Sequence, residues 1–129
     1  MNSPATHSVG RFAPSPTGPL HFGSLTLALA SYLSVKAKGG QWLIRMEDLD
    51  PPREQPGARE LILEQLSAHG LKSDQPVVYQ SERLQGYHSA LETLRQRSLI
   101  FPCDCPRKHL PRHYPGFCRA RNESDPALK

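Results

Sequence analysis

Several residues near the N-terminus combine types and spacing that suit the binding of a phosphate-bearing ligand. His21, Gly23 and Ser24 follow closely after a segment with two prolines and a glycine, residues 14–18. Prolines and glycines hold a loop open and restrict its backbone. Imidazole and hydroxyl groups beside the free backbone N–H groups of a helix start form a donor set for an anion. We therefore predict a phosphate-binding loop that leads into a helix, the alternative being an ordinary loop with an incidental histidine.

A second set of charged residues has the chemistry to bind an amino acid. Arg11 precedes the loop, and Glu47 ends a later apolar segment. An arginine suits a bidentate grip on a carboxylate, and a glutamate can hold an ammonium group. The alternatives are an arginine that extends from an edge strand into solvent, and an acidic loop at 47–50 that is solvated or caps the next helix.

Three cysteines, Cys103, Cys105 and Cys118, lie close together near the C-terminus. An odd number of cysteines argues against a disulfide framework. Three thiolates leave one position of a tetrahedral Zn²⁺ ion to be filled by another ligand. The alternative is three idle thiols in a reducing compartment. The local candidates for a fourth ligand are His109, His113 and Tyr114, of which histidine is the commoner zinc ligand.

The elements that must position these residues follow from the hydrophobic pattern. Residues 8–12 predict a strand, 25–38 a helix that ends at Gly39-Gly40, and 41–47 a second strand. A strand, a helix and a strand in this order predict a right-handed βαβ unit with parallel pairing. Because ligands bind at the carboxyl ends of such strands, we expect residues 13–17 and 47–50 to lie side by side.

The remaining elements are assigned in the same way. A helical spacing predicts that the first helix buries one stripe, and that a second helix over 57–69 points three residues inward. A strand at 77–79, a helix capped by Ser81, and a strand at 99–101 complete the prediction. The expected inward residues of the first helix are Leu25, Ala28, Leu29, Tyr32 and Leu33, those of the second are Leu61, Ile62 and Leu66, and those that share one face of the third are Leu84, Tyr87, Leu91, Leu94 and Ser98.

Composition limits the function classes. The 129 residues carry a formal net charge of +4, a moderate basic excess that suits a polyanionic partner. No signal peptide and no membrane-spanning stretch is recognisable, so we expect a cytoplasmic protein without membrane contact. We also expect a monomer. A basic rim near the C-terminus is interleaved with aromatic residues, a pattern typical of RNA contact or of a solvated face. Its members are Arg95, Arg97, Arg107, Lys108, Arg112, Arg119 and Arg121, with Phe101, Tyr114 and Phe117 between them.

The N-terminal motif resembles the nucleotide-binding signature of class I aminoacyl-tRNA synthetases of the glutamate and glutamine branch. That signature runs R-F-A-P-S-P-T-G and then H-x-G-H, and Ser24 departs from its last position. The resemblance implies a Rossmann-like fold and a site for ATP with Mg²⁺. By this resemblance Thr17, His21 and Ser24 act in catalysis, and the ATP-binding residues are Pro14, Ser15, Pro16, Thr17, Gly18, His21, Gly23 and Ser24.

The same resemblance implies a glutamate pocket. The segment R-M-E-D-L-D at 45–50 is similar to the family's R-I-E-D-T-D, in which the glutamate holds the ammonium group of the amino acid. The segment Y-Q-S-E-R at 79–83 is similar to the family's Y-Q-S-x-R. The implied L-glutamate-binding residues are Arg11, Phe12, Ala13, Pro14, Ser15 and Glu47.

The cysteine segment resembles that of the glutamyl-Q tRNA(Asp) synthetases, which have C-x-C, a short link and Y-x-x-x-C. The resemblance implies structural Zn²⁺ bound by Cys103, Cys105, Tyr114 and Cys118. In ordinary glutamyl-tRNA synthetases with zinc the link is longer and a histidine follows the last cysteine. Here Arg119-Ala120-Arg121 follows instead.

The fold class predicted from these features is α/β: the first half of a Rossmann-like class I catalytic domain with a small zinc-binding insertion. We expect the nucleotide- and glutamate-binding half over 1–98 and the zinc subdomain, incomplete at its C-terminal end, over 99–129. The implied activity is ATP-dependent activation of glutamate and transfer of the glutamyl group to queuosine in the anticodon of tRNA(Asp). No K-M-S-K-S-like motif is present, so the chain alone is expected to be inactive. The alternatives are a part of an ordinary glutamyl-tRNA synthetase and a non-catalytic, zinc-stabilised RNA-binding module.

Overall fold

The structure, a computed structural model, describes residues 8–121. The chain divides into two compact units, Met1–Arg83 and Leu84–Lys129, so that the last long helix is grouped with the cysteine segment. The strands are β1 (Val9–Phe12), β2 (Gln41–Met46) and β3 (Val78–Tyr79), and the helices are α1 (Phe22–Lys36), α2 (Ala58–Ala68) and α3 (Leu84–Gln96). Short 3₁₀ turns occupy Pro51–Arg53, Ser81–Arg83 and Arg107–His109.

The three strands form one parallel sheet in the order β1-β2-β3. Val9 pairs with Gln41 and Phe12 with Ile44, so β1 and β2 end at the same edge. The α/β fold class and the parallel βαβ unit are therefore confirmed. The two strand ends bring the loop after β1 next to the acidic segment after β2, as the connection rule requires.

The glycine pair after α1 makes the turn into β2 possible. Gly39 has a φ of 65°, which favours glycine. A Cβ atom on Gly40 would collide with the carbonyl oxygen of Ser8, next to β1. The chain can thus leave the helix and enter the sheet directly alongside β1.

Trp42 is the centre of the core of the first unit. It is fully buried on the middle strand, stacks on Phe12 at a ring distance of 6.3 Å, and meets the edge of Tyr32 at 5.4 Å. Its indole N–H donates to Ser31 Oγ at 2.9 Å, and its backbone N–H donates to Asp74 Oδ2 at 2.6 Å. Both of its N–H groups are therefore hydrogen-bonded, as burial requires. The core is completed by Ala28, Val35, Ile44, Met46, Ile62, Leu66 and Leu71.

Helix α1 differs from its prediction in two ways. It begins at Phe22, three positions before the expected Leu25, because the side chain of His21 caps it. Leu29 and Leu33, expected in the core, are 45% and 57% exposed. The three-stranded sheet covers only a narrow strip of the helix, on which Ala28 is buried as predicted, together with Val35.

Two other predictions for the first unit are wrong. Helix α2 buries Ile62 and Leu66 as predicted, together with Ala58, whereas Leu61 is exposed. Ser81 does not start a long helix directly: it opens a 3₁₀ turn, and both its N–H and its hydroxyl donate to the carboxylate of Asp48.

The second unit corrects one further prediction. Residues 99–101 do not form a strand, because Ser98 adopts a left-handed conformation (φ 54°) that turns the chain at the end of α3. The expected apolar face of α3 stays exposed, since none of the helix residues is buried within the described part of the chain. Across residues 8–121, no helix has both the length and the apolar composition that crossing a bilayer requires.

Candidate functional site

The signature loop is fastened to the rest of the first unit at three points. Glu47 N–H donates to the carbonyl oxygen of Pro14, and Gln55 N–H donates to that of Pro16, both at 2.9 Å. The N–H of Leu20 donates to Oε1 of Gln65, on α2, at 2.8 Å. A loop whose backbone groups are bound in this way keeps one conformation without a ligand, and pre-organised donors are the basis of transition-state stabilisation.

His21 and Ser24 interact at the N-terminus of α1. The Nδ1 atom of His21 accepts from Ser24 N–H at 3.2 Å, so the neutral ring carries its proton on Nε2. Nε2 lies 3.0 Å from Ser24 Oγ and can donate to it. The hydroxyl proton of Ser24 is then available to an acceptor such as a phosphate oxygen.

Gly23 is required by the position of the imidazole ring. A Cβ atom at this residue would lie 3.1 Å from Cε1 and 3.2 Å from Nδ1 of His21. These distances are shorter than ordinary van der Waals contact, so a side chain at position 23 would displace the ring. The sequence predicted that Gly23 lets a ligand come close to the backbone. The structure shows that it also makes room for the imidazole ring of His21.

The loop encloses a cavity of about 290 Å³. Most of the predicted ATP-binding residues line it, and so do four of the predicted glutamate-binding residues: Phe12, Ala13, and the shared Pro14 and Ser15. Pro16 does not line it, because its side chain is fully buried and braces the loop from beneath. The cavity is lined by Phe12, Ala13, Pro14, Ser15, Thr17, Gly18, Pro19, Leu20, His21, Ser24 and Ile62.

The two charged residues of the predicted glutamate pocket have different surroundings. Arg11 is exposed on β1, opposite Leu43 of β2. Glu47 is half-buried and its Oε1 accepts from Arg45 at 2.6 Å, while its backbone contacts Pro14. Arg45 therefore fixes one carboxylate oxygen of Glu47 and leaves Oε2 for another cation.

Asp48 is a structural centre that sequence reasoning assigned only to an acidic loop. Its carboxylate is fully buried and accepts from the N–H of Ser81 at 2.9 Å and from the hydroxyl at 2.6 Å. Arg59 lies 3.3 Å from it and also pairs with Glu54 at 2.9 Å. Burial raises the pKa of Asp48, but the Ser81 hydrogen bonds and Arg59 outweigh it and hold this pKa below its ordinary value.

The three cysteines of the second unit converge. Their sulfur atoms all lie within 4.8 Å of one another, and those of Cys105 and Cys118 are 3.5 Å apart. Tetrahedral Zn²⁺ with Zn–S bonds of about 2.3 Å separates its sulfur ligands by roughly 3.8 Å. The cluster thus needs little rearrangement to accept a metal ion of this size.

Tyr114 lies beside this cluster, and the histidines do not join it. The phenol oxygen of Tyr114 accepts from the backbone N–H of Cys118 at 2.8 Å. Its ring is held between Phe101 at 5.9 Å and Phe117 at 5.2 Å. Within residues 8–121, no histidine is a member of a metal-binding group with the cysteines. Of the three candidates, Tyr114 is the one that the structure shows hydrogen-bonded to a cysteine of the cluster.

Cys105 and Cys118 differ in acidity because of the hydrogen bonds that their thiols form within the cluster and with Tyr114. A hydrogen bond to Cys118, with burial second, raises the pKa of Cys105 to about 11. The hydrogen bond from Tyr114 lowers the pKa of Cys118 despite its burial. Burial and the neighbouring Cys118 raise the pKa of Tyr114. Cys118 therefore ionises more easily than Cys105, and a thiolate is the form that binds metal.

The fold and the site define a class I synthetase catalytic domain: a parallel βαβ unit with the signature loop at the carboxyl end of β1. Residues 8–124 match the family described as tRNA synthetases class I (E and Q), catalytic domain. The chain belongs to this family.

The curated relatives narrow this assignment. The chain is 56% identical over 114 residues to the glutamyl-Q tRNA(Asp) synthetase of Pseudomonas paraeruginosa, with 86% of this chain and 39% of the relative covered. It is 52% identical over 124 residues to the protein of the same name from Vibrio parahaemolyticus, with 94% and 42% covered. The chain thus spans about two fifths of the length of the curated relatives it matches.

A solved structure agrees with the fold. The glutamate-tRNA synthetase of Elizabethkingia anophelis superposes with a TM-score of 0.67 at 38% identity, over 70% of this chain and 20% of that one. The family match and the curated relatives confirm the resemblance to the class I family and to the glutamyl-Q tRNA(Asp) synthetases.

Proposed function

We propose that this chain supplies the nucleotide- and glutamate-binding half of an enzyme that activates L-glutamate with ATP and transfers it to queuosine in the anticodon of tRNA(Asp). The hydrogen-bonded pair of His21 and Ser24 at the start of α1, facing the loop cavity, carries this proposal. The names of relatives at 50–56% identity support the acceptor. The reaction belongs to the cytoplasm, where tRNA is charged.

Activation needs positioned donors rather than a protein nucleophile. A carboxylate oxygen of glutamate attacks the α-phosphorus of ATP, and pyrophosphate leaves with Mg²⁺. The Ser24 hydroxyl and the N–H groups of the α1 N-terminus donate to the α-phosphate oxygens as negative charge grows there. His21 holds Ser24 in place through Nε2. Thr17 and Gly18 border the path of the triphosphate.

The amino acid is bound by charge complementarity. Glu47 offers Oε2 to the ammonium group, while Arg45 neutralises Oε1 and prevents the carboxylate from turning away. Arg11 provides a guanidinium for the side-chain carboxylate of the substrate. The backbone bond from Glu47 to Pro14 fixes the distance between the amino-acid and nucleotide parts of the site.

Zn²⁺ is the metal that this donor set suits, with Cys103, Cys105, Cys118 and Tyr114 as ligands. Thiolates favour zinc over magnesium or calcium. The ion would cross-link residues 103–118 and would hold the basic segment that follows.

Calorimetry with a non-hydrolysable glutamyl-adenylate mimic tests the nucleotide site on the 129-residue chain. We expect binding that His21→Ala and Ser24→Ala each weaken by about tenfold, as for the loss of one charge-assisted hydrogen bond. Lys72→Ala, an exposed change remote in sequence from the loop, serves as the control and should bind normally. Equal binding by all four proteins, or no binding by any, would contradict the proposed site.

Two reactions test the rest of the function. Glutamate-dependent ATP–pyrophosphate exchange should be negligible for this chain alone. The chain has no K-M-S-K-S-like motif, whose lysines bind the triphosphate in the family. In the longer enzyme, glutamylation should require queuosine in the tRNA. Glutamylation of tRNA without queuosine would identify an ordinary glutamyl-tRNA synthetase instead.

Metal analysis tests the zinc ligands. We expect about one Zn²⁺ per chain, lost in Cys105→Ser, weakened in Tyr114→Phe and retained in His113→Ala. Loss in His113→Ala with retention in Tyr114→Phe would transfer the fourth position to the histidine.

A further inference from the structure

The second unit contains a cavity in which three arginines converge. Its volume is about 580 Å³, within the range of roughly 300–1,000 Å³ typical of small-molecule sites. Among residues 8–121, the side chains that line this cavity include three guanidinium groups and no carboxylate. The lining residues are Arg95, Ser98, Ile100, Phe101, Pro102, Arg119 and Arg121.

The three arginines are not equivalent. Arg95 is bound by Glu92 at 2.6 Å, and Arg121 is bound by Asp104 at 2.8 Å, so carboxylates outside the lining orient both. Arg119 has no carboxylate partner within residues 8–121. A guanidinium without a counter-ion, beside two that are already oriented, is suited to bind an additional anion such as a phosphate.

The backbone brings Arg119 to the cavity. Its N–H donates to the carbonyl oxygen of Gly116 at 3.0 Å, which closes a turn. Gly116 has a φ of 89°, and a Cβ atom there would lie 3.3 Å from both Cδ and Nε of Arg119. The arginine thus lies against the turn, and the absence of a side chain at position 116 permits this contact.

Phe101 adds an apolar surface to the same cavity. Its ring stacks on Tyr114 at 5.9 Å with an interplanar angle of 16°, which fixes its orientation. An oriented aromatic ring beside a guanidinium provides the two contacts that a nucleotide requires, stacking for the base and an ion pair for the phosphate.

We propose that this cavity binds one nucleotide unit of an RNA chain, with its phosphate on Arg119 and its base against Phe101. The proposal rests on the proposed function in taking the RNA to be the tRNA substrate. A free nucleotide has the same chemistry, but a chain is favoured because the same unit carries further exposed basic residues outside the lining of this cavity. These residues are Arg107, Lys108 and Arg112.

Fluorescence anisotropy with a labelled single-stranded RNA oligonucleotide tests the cavity on the 129-residue chain. Arg119→Ala should weaken binding by about tenfold and lower the slope of log K against log salt by about 0.7, the value for one phosphate contact. Arg119→Lys, which keeps the charge without the fork, should weaken it less. Phe101→Leu keeps an apolar side chain but removes stacking, and should also weaken binding by about tenfold.

Lys72→Ala is the control, since it removes one positive charge from an exposed position of the first unit, outside the cavity and outside the basic residues 107–112. It should leave binding within about twofold, as expected for a single surface charge away from the site at physiological salt. Equal losses in Lys72→Ala and Arg119→Ala would show a general effect of charge and would overturn the proposal, as would no loss in either. Circular dichroism and zinc content, unchanged in each variant, exclude unfolding as the cause.

Competition distinguishes the two sources of nucleotide. Free AMP should displace the RNA only at concentrations far above that of the oligonucleotide, because it makes one of several contacts. Displacement by AMP at concentrations as low as those of unlabelled RNA would assign the cavity to a free nucleotide. RNA binding is measured without ATP or glutamate. A loss of RNA binding would therefore contradict this proposal alone, whereas a failure of the adenylate-binding test would contradict the proposed function.

Discussion

The signature loop and the cysteine segment reach order in different ways. The loop is bound by backbone hydrogen bonds to β2, to the following turn and to α2, over a core centred on Trp42. In residues 99–121 only Cys118 is buried, and the regular structure described there is one 3₁₀ turn. The first site therefore derives its rigidity from the fold, whereas the second requires a cross-link, which bound metal would provide.

Removal of the proposed zinc ion should have very different effects on the two regions. Because structural zinc contributes about 10–16 kcal/mol in small domains, chelation or Cys105→Ser should abolish the order of residues 99–121 and leave β1 and β2 intact. Hydrogen exchange read by mass spectrometry measures both regions in one sample. Unchanged protection of the cysteine segment after chelation would show that its order does not depend on a metal.

Asp48→Ala should be the largest single-residue effect in the first unit. The change leaves the N–H and hydroxyl of Ser81 without their acceptor and removes a buried partner of Arg59. We expect the free energy of unfolding to fall by about 3 kcal/mol. Asp50→Ala, which breaks an exposed pair with Arg53, should cost no more than about 1 kcal/mol. Urea unfolding followed by Trp42 fluorescence compares them, and equal losses would contradict the assigned role.

The same carboxylate should give the first unit a pH dependence. Its pKa is lower in the folded chain than its ordinary value of 3.8. The stabilisation is therefore complete above that value and is lost as the pH falls through the lower, folded pKa. Wild type and Asp48→Asn, unfolded in urea across the acid range, should differ most above pH 3.8 and converge below it. A constant difference throughout would rule out this linkage.

Gly23→Ala should affect ligand binding more than stability. The added methyl group displaces the exposed ring of His21 and breaks its contacts with Ser24, whereas alanine favours the helix. Affinity for the adenylate mimic should fall by about tenfold, with the unfolding midpoint nearly unchanged. Calorimetry and urea unfolding separate the two quantities. Retained affinity would mean that the His21–Ser24 pair does not contribute to binding.

Ser98→Gly is the smallest expected effect and lies in the second unit. A left-handed residue with a Cβ atom costs roughly 1 kcal/mol, which glycine avoids. The midpoint of thermal unfolding, followed by circular dichroism, should therefore be higher for Ser98→Gly than for the wild type. Ser98→Ala should not show this increase. Equal midpoints for all three proteins would show that the end of α3 opens before the cooperative transition.

The sequence predicted those parts of the molecule that depend on local pattern. Strands β1 and β2 follow from short apolar segments, and the loop between β1 and α1 follows from Pro14 to Gly18. The end of α1 follows from Gly39, whose backbone requires no long-range partner. Local rules suffice where each residue's conformation is set by its neighbours in the chain.

Long-range partners could not be predicted in the same way. Nothing in the spacing of Asp48 and Ser81 indicates that one accepts two hydrogen bonds from the other, because the contact depends on how β3 joins the sheet. The exposure of Leu29 and Leu33 depends on the number of strands beside α1. Hydrophobic periodicity identifies which face of a helix can be buried. The number of strands that pack against the helix determines how much of that face is actually buried.

The start of α1 and the loop before it are the proposed binding site of the activated amino acid. Chemical-shift mapping of the ¹⁵N-labelled chain with the glutamyl-adenylate mimic tests it most directly. The largest changes should fall on the backbone N–H groups of Thr17, Gly23 and Ser24, with residues 116–121 unaffected. Changes confined to residues 116–121, or no changes at all, would contradict the account.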